Sequence, residues 1–463
     1  MSIVAALTGA PLAARLPGAG TLALGAAGAI VAVALLVALM RRHEDAFPLL
    51  AVLALPFRVP ISADGRTVNL LIPLYLVVAA GTLTALLARA RGEQPHELAA
   101  GEHASPRSLA FWTSPRGLEW LLFAIVALYT LQALYSPDRT RAVENVAFFY
   151  IPFALLFVLL RRVRWRRELL LRCLGVAVAL AVVFAGVGFI EYARKSLFLN
   201  PKVVAANQYD NYFRVNSLFF DPNIYGRFLA LVMIALSTVV LWSSRRREIL
   251  WGAGLLAWLL VGLVTSFSQS SIAALLLGLV ILAAFRWDVR ATLYASLGLL
   301  TLAVIVVLLA PASLHFGLKG SGGSASNATS GRTKLISGGL QLFAKRPVYG
   351  FGAGSFETEY RRHSRASTEN ATSASHTIPV TVAAEQGIVG LALYVALVLA
   401  ALLVLFRGAG RSPPRIALAA CFAALLLHTW TYADFLEDPF TWALLAIGVA
   451  LARQARAASD SSF

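Results

Sequence analysis

Along almost its whole length the chain repeats one pattern: about twenty mostly apolar residues, then a short polar break. A run of that length matches a bilayer's hydrocarbon layer, ~30 Å thick, because an α-helix rises ~1.5 Å per residue. Inside hydrocarbon every backbone N–H and C=O must be satisfied by the protein itself, so such runs fold as helices. Thirteen candidate spans follow, at 21–40, 46–62, 69–89, 117–135, 143–160, 169–190, 222–242, 248–266, 271–285, 291–311, 378–406, 415–433 and 439–453. The second is short and holds Pro48, Pro56 and Arg58, so it counts as a span or as a re-entrant segment; 271–285 is also short. The expected fold class is all-α, a polytopic transmembrane bundle of 12–13 spans.

Composition agrees. Hydrophobic residues make up 59% of the 463 and charged residues 14%, where a soluble domain carries roughly a quarter charged. The net charge of +17 would suit a nucleic-acid binder, but the basic residues sit in short clusters between apolar runs. Membrane lipids, not nucleic acid, are the expected surroundings. Cys173 and Cys421 fall inside apolar runs and read as buried thiols. The N-terminus lacks a basic start, so the first span is expected to act as an uncleaved insertion signal.

Basic clusters give an orientation. They are Arg41-Arg42, Arg89 to Arg91, 161–167, 245–247, Arg286 to Arg290, Arg407 to Arg415 and Arg453 to Arg456. Every second loop is basic, and the positive-inside rule places those loops and the C-terminus in the cytoplasm. Two longer loops then fall outside, at 191–221 and 311–376. The expected organisation is an N-terminal bundle over 1–310, a large extracytoplasmic loop over 311–376, and C-terminal helices over 377–463.

The large loop opens on a Gly/Ser-rich stretch expected to be flexible. An amphipathic helix over 332–345 follows, with Leu335, Ile336, Leu340 and Phe343 on one face, and Pro347 ends it. The sequons at Asn327 and Asn370 read as chance matches. For an outer loop the segment is unusually basic, with Lys319, Arg332, Lys334, Lys345, Arg346, Arg361, Arg362 and Arg365. The smaller loop adds Arg194, Lys195, Lys202 and Arg214. Guanidinium forks bind phosphate oxygens bidentately, so these cations suit an anionic lipid-linked substrate; the bland alternative is contact with lipid headgroups. Gly350, Gly352 and Gly354 alternate before Phe356, a run that permits tight turns and close backbone approach. It is neither a dinucleotide fingerprint nor a phosphate-binding P-loop. His376 stands where the chain re-enters the membrane, and Glu385, Gly387 and Gly390 follow it in the next apolar helix, where small residues allow close packing.

Four segments together resemble the O-antigen ligase and O-antigen polymerase superfamily of bacterial membrane glycosyltransferases, over about residues 200 to 410. They are FRVNSLFFDPNIYGRFLAL, TSFSQSS, SGRTKLISGGLQLFAKRPVYGFGAGSF and SHTIPVTVAAEQGIVG. The resemblance implies a GT-C-like helical bundle in the bacterial cytoplasmic membrane. It implies an undecaprenyl-diphosphate-linked glycan as donor and a saccharide or glycolipid hydroxyl as acceptor, on the outer face. Arg214 and Arg332 match the arginines expected to hold the diphosphate, and His376 the group expected to activate the acceptor. Arg227, Arg346 and Glu385 are possible secondary residues, and Gly350, Gly352 and Gly354 shape the loop. Arg227 could snorkel toward the phosphate or pair with Glu191 or Asp434. No cofactor is implied. With no Asp-x-Asp present, metal-independent transfer is expected, and Glu357 and Glu359 read as a solvated loop. The chain departs from the family pattern at Gln269, where many relatives have Arg, at Thr377, where Asn is common, and at Pro379. Ligase and polymerase stay open as alternatives, and a transporter is the rival from another class.

Overall fold

The computed structural model describes residues 19–63, 66–92, 108–199, 213–292, 294, 296–298, 324–364, 375, 377–432 and 434–460. In chain order its main elements are α1 (Ala19–Arg42), α2 (Ala46–Ala54), β1 (Val59–Ala63), β2 (Arg66–Leu70), α3 (Ile72–Ala90), α4 (Pro115–Gln132), α5 (Arg139–Leu160), α6 (Arg167–Arg194), α7 (Pro222–Trp242), α8 (Arg246–Thr265), α9 (Gln269–Arg286), α10 (Ser324–Lys345), α11 (Phe356–Ser364), α12 (Ile378–Phe406), α13 (Pro413–Thr431) and α14 (Pro439–Asp460). Nine helices among the described residues are long and apolar enough to cross a membrane. The protein is a multi-pass helical membrane protein.

Three expected spans differ in detail. The span at 46–62 is not one helix. The nine residues of α2 rise only ~14 Å, well short of the hydrocarbon layer. Pro56 ends the helical run, and the chain continues as an antiparallel hairpin pairing Val59 with Leu70 and Ala63 with Arg66. Asp64-Gly65 separates the strands in sequence, a pair favoured in two-residue hairpin links. The spans at 117–135 and 439–453 form α4 and α14, of 18 and 22 residues, each carrying charge. Glu119 of α4 and Arg453 of α14 form an ion pair at 3.0 Å. The span at 291–311 lies mostly outside the described residues.

The chain forms two compact units, each discontinuous in sequence. The first comprises Met1–Leu98, Ala154–Leu236 and Leu250–Ile272. There α1 packs on α3, and α2 packs on α3 and α6. Asp45, just before α2, is held by Arg166 and Arg172 at 3.0 and 3.2 Å. Phe184 of α6 meets Phe57, Phe219 and Phe228 edge-on.

The second unit comprises Ala99–Phe153, Ser237–Ile249 and Ala273–Phe463. Its centre is α12, which packs against α4, α10, α13 and α14. Helix α10 starts earlier than the sequence suggests, at Ser324, inside the stretch expected to be flexible. Once a packed segment nucleates a helix, each added turn is cheap. Its buried face is Leu335, Gly339 and Leu342, and Leu340, expected on that face, is 51% exposed. Leu335 and Leu342 join Phe351, Phe356, Tyr360 and Ala384 in one apolar cluster. As expected, α10 ends two residues before Pro347.

Candidate functional site

Between α10 and α11 the glycine run folds back onto α12. Gly350, Gly352 and Gly354 take φ of 67°, 106° and 71°, the left-handed region that side chains disfavour. Inside α12, Gly387 leaves helical geometry at φ 64°, ψ −162°. A broken helix frees backbone groups that hydrocarbon cannot satisfy. The loop supplies their partners. Ile388 N–H donates to the Pro347 carbonyl at 2.7 Å and Val389 N–H to that of Val348 at 3.4 Å. In return, Phe351 N–H donates to Ala384 O at 3.2 Å and Gly352 N–H to Glu385 O at 2.7 Å. The backbones approach too closely for side chains: a Cβ on Gly387 would lie 2.4 Å from the Val348 carbonyl. The sequence suggested helix packing at Gly387. The structure shows a loop docked on a helix break.

Glu385 completes the lock. Its carboxylate is buried and accepts from Gly354 N–H at 3.0 Å and Phe356 N–H at 2.9 Å. These lie at the N-terminus of α11, where a helix leaves donors unpaired. The C-terminal end of α4 and the residues after it grip the loop from the other side. Tyr135 Oη donates to Tyr349 O at 2.9 Å and Ser136 Oγ to Ala353 O at 2.8 Å. Arg346 is exposed and stacks on the Phe351 ring, 4.6 Å from its centre. Glu357 and Glu359 are not a solvated loop. Both lie on α11, Glu357 bonded to Arg141 and Arg361, and Glu359 buried with Arg362 and His363 at 3.2 and 3.3 Å. Each is paired with an arginine, Glu357 with Arg141 and Arg361 and Glu359 with Arg362.

Arg214 belongs to the first unit. Its Nε donates to Ser266 O at 3.2 Å and its Nη2 to Asn223 Oδ1 at 3.4 Å, neither partner charged. Asn223 is itself held by Ser268 Oγ at 2.9 Å, which bonds Ser271 Oγ at 2.7 Å. Glu191, at the end of α6, is buried and accepts from Phe198 N–H at 3.0 Å and Ser217 N–H at 2.7 Å. It therefore fixes the backbone just after Arg214. Arg227 does not snorkel outward: it is only 2% exposed, in the first turns of α7. Arg332 rides on α10, and its side chain and His376 lie outside the described residues. The residues flanking His376 are pinned. Ser375 N–H donates to Thr381 Oγ1 at 3.1 Å, and Thr377 N–H to Ser375 Oγ at 3.2 Å.

The second unit also holds a cavity of ≈ 630 Å³, open solvent included. Arg141, Asn145 and Tyr150 of α5 line one side. A π-helical turn over Val146–Tyr150 shapes that side, with Ile151 N–H bonded to Val146 O. In a regular helix residues five apart point about 140° apart; the wider turn brings them closer to the same side. Asn145 and Tyr150 thus face the same cavity. Thr381 and Glu385 of α12 and the link between α13 and α14 close it. Arg141, Asn145 and Glu437 were not among the candidate site residues, because polarity in or beside a span was their only signal.

The family model described as O-antigen ligase matches residues 254–395. The match is a similarity to that family over this segment of the 463-residue chain. Within the O-antigen ligase match lie α10 with Arg332, the glycine loop, α11, His376, and Glu385 with the break at Gly387. Arg214 and Arg227 lie before it. No curated protein matches the chain.

Proposed function

We propose that this protein, like the O-antigen ligase family its residues 254–395 resemble, transfers a glycan from an undecaprenyl-diphosphate carrier to a saccharide hydroxyl, on the outer face of the bacterial cytoplasmic membrane. The acceptor oxygen attacks the anomeric carbon as the bond to the diphosphate oxygen breaks. The acceptor proton passes to His376, and the carrier diphosphate leaves with added negative charge. Arg214 and Arg332 stabilise that charge, which grows in the transition state. A neutral imidazole suits a base working near pH 7. Attack in a single step inverts the anomeric configuration, and no metal is required.

One observation carries the reading: α10 and α12 are packed in contact within the segment that matches the family. A Cβ on Gly339 of α10 would lie 2.5 Å from Val380 of α12. Arg332 is seven residues, two turns, before Gly339, so both positions share a helix face ~10 Å apart. Val380 comes four residues after His376. Arg332 therefore precedes, and His376 immediately precedes, the helix segments that meet at this contact.

Deleting the gene and analysing surface polysaccharide and lipid-linked intermediates tests the proposal. Accumulated full-length carrier-linked chains identify a ligase, and unpolymerised single repeats identify a polymerase. Normal glycans with impaired small-molecule uptake would refute transfer and favour a transporter.

A further inference from the structure

The far end of α12 carries a different chemistry from the end that meets the glycine loop. From Gly387 to Arg407 the helix rises ~30 Å, the thickness of the hydrocarbon layer, so it reaches the opposite membrane face. Val395, Leu399 and Leu403 are exposed and spaced four apart, which makes one inclined ridge along α12. Arg407 N–H bonds Leu403 O at 3.0 Å, so the exposed Arg407 continues the same ridge at the helix end. Leu402, Leu403, Phe406 and Arg407 line an open groove there. Phe285, near the end of α9, packs against Phe406 with ring centres 6.2 Å apart. Trp287, two residues later, is exposed, as suits a residue at headgroup level. The cations at this end are of two kinds. Arg415 is spent on the helix terminus, donating to Arg407 O at 2.7 Å and Gly408 O at 3.3 Å, where α12 leaves carbonyls unpaired. Arg407 and Arg411 are exposed, and neither guanidinium has a hydrogen bond or ion pair among the described residues. The chain supplies no acidic residue between Glu385 and Asp434 to neutralise them.

An apolar ridge that ends in two uncompensated guanidinium groups has the layout of a lipid turned inside out: hydrocarbon first, then phosphate. We infer that one anionic phospholipid binds here, with an acyl chain along Val395, Leu399 and Leu403 and its phosphate on Arg407 and Arg411. The length agrees. From Val395 to Arg407 the helix rises ~18 Å, close to the ~15 Å of hydrocarbon in one leaflet. Guanidinium forks suit phosphate oxygens, and a negative lipid surface attracts basic residues beside a span. Phosphatidylcholine is the poorer occupant, because its quaternary ammonium meets the same two cations. A soluble anion would leave the ridge uncovered. The isoprenoid carrier of the proposed reaction acts at the opposite end of α12.

Native mass spectrometry of the full-length protein in detergent micelles provides the test, with phosphatidylglycerol or phosphatidylcholine of matched acyl chains titrated in. Each arginine is expected to favour the anionic headgroup about fivefold, so one phosphatidylglycerol binds roughly 25-fold more tightly than phosphatidylcholine. The double substitution Arg407→Gln, Arg411→Gln abolishes that preference, and Arg407→Lys with Arg411→Lys keeps most of it. Arg162→Gln with Arg164→Gln removes the same charge from two exposed positions of the first unit and leaves the preference unchanged. Leu399→Gln with Leu403→Gln weakens both lipids alike, because the chain loses its ridge. Equal binding of the two lipids by the unsubstituted protein overturns the inference. So does an equal loss in the Arg162, Arg164 pair, which would reduce the effect to net charge. Undecaprenyl phosphate displacing phosphatidylglycerol at equal or lower concentration would also overturn it, by assigning the groove to the carrier.

Discussion

Replacing Gly387 with alanine sets two physical effects against each other. Helix propensity alone favours Gly387→Ala by about 1 kcal/mol, since glycine is a poor helix residue. The structure gives the opposite sign. At φ 64°, ψ −162° the backbone lies in a region that essentially only glycine occupies, and strain there costs about 1–3 kcal/mol. The new Cβ would lie 2.4 Å from both carbonyl atoms of Val348 and 2.6 Å from the Tyr349 nitrogen. These are backbone atoms, so relief requires the loop to move off α12. Its departure breaks the bonds from Ile388 and Val389 and those from Phe351 and Gly352, leaving buried groups unpaired at about 1–3 kcal/mol each. The strain and one orphaned group together, less the gain in propensity, give a net destabilisation of about 1–5 kcal/mol. Thermal unfolding in nanodiscs, with limited proteolysis after residue 346, reads it out. Gly254→Ala is the control, since a Cβ there meets nothing within 4 Å. A Gly387→Ala protein as stable as Gly254→Ala, with an uncut loop, would refute the docking of loop on break.

Three further outcomes follow from the proposed chemistry. Arg332→Ala and Arg214→Ala each lower transfer by about 100-fold or more, the scale of losing one donor to a developing anion, and Lys restores little because it lacks the bidentate fork; a single-turnover assay checks this. With His376 as base, kcat/KM falls as pH drops through about 6.5, where an ordinary imidazole gains its proton; the acid limb should vanish in His376→Gln. Chelation with EDTA leaves the rate unchanged, and rescue of an EDTA-treated sample by a divalent ion would overturn metal-independent transfer.

The parts of this fold legible in the sequence are those set by local chemistry. Apolar runs of twenty residues have few ways to satisfy their backbone in a bilayer, so most spans could be placed to within a few residues. Pro347 and the alternating glycines were visible because they remove conformations or add rare ones. The break at Gly387 was not, because Glu-Gln-Gly inside an apolar run reads as continuing helix and its partner loop lies about 40 residues earlier. The π turn of α5 has no sequence mark at all. Leu340 was placed on the buried face because it is apolar; α10 instead packs through Gly339, where the absence of a side chain allows the close approach to Val380. The acidic link at 434–438 resembled any short loop until the structure showed which carboxylate is spent on a cap and which two line the cavity.

Glu385 shows why a charge sits in an otherwise apolar helix. Placing a carboxylate near a bilayer's centre costs about 2.5–3.5 kcal/mol, so a sequence keeps one only where partners recover that cost. Here the partners are two N–H groups at the start of α11, bonded one to each oxygen, with the helix dipole reinforcing both. Glu385→Gln separates this positioning role from simple polarity. Glutamine keeps one acceptor oxygen but turns an NH2 group toward the second N–H, so two donors face each other. One charge-assisted bond is lost, at about 1.5–3 kcal/mol, while side-chain volume is nearly unchanged. The expected result is a lower melting temperature with faster proteolysis between Pro347 and Phe356, and a reduced kcat at unaltered donor KM. Equal stability of Glu385→Gln and the unsubstituted protein would show that the carboxylate does not hold the loop, and the account of α11, the glycine run and the helix break as one locked body would fail with it.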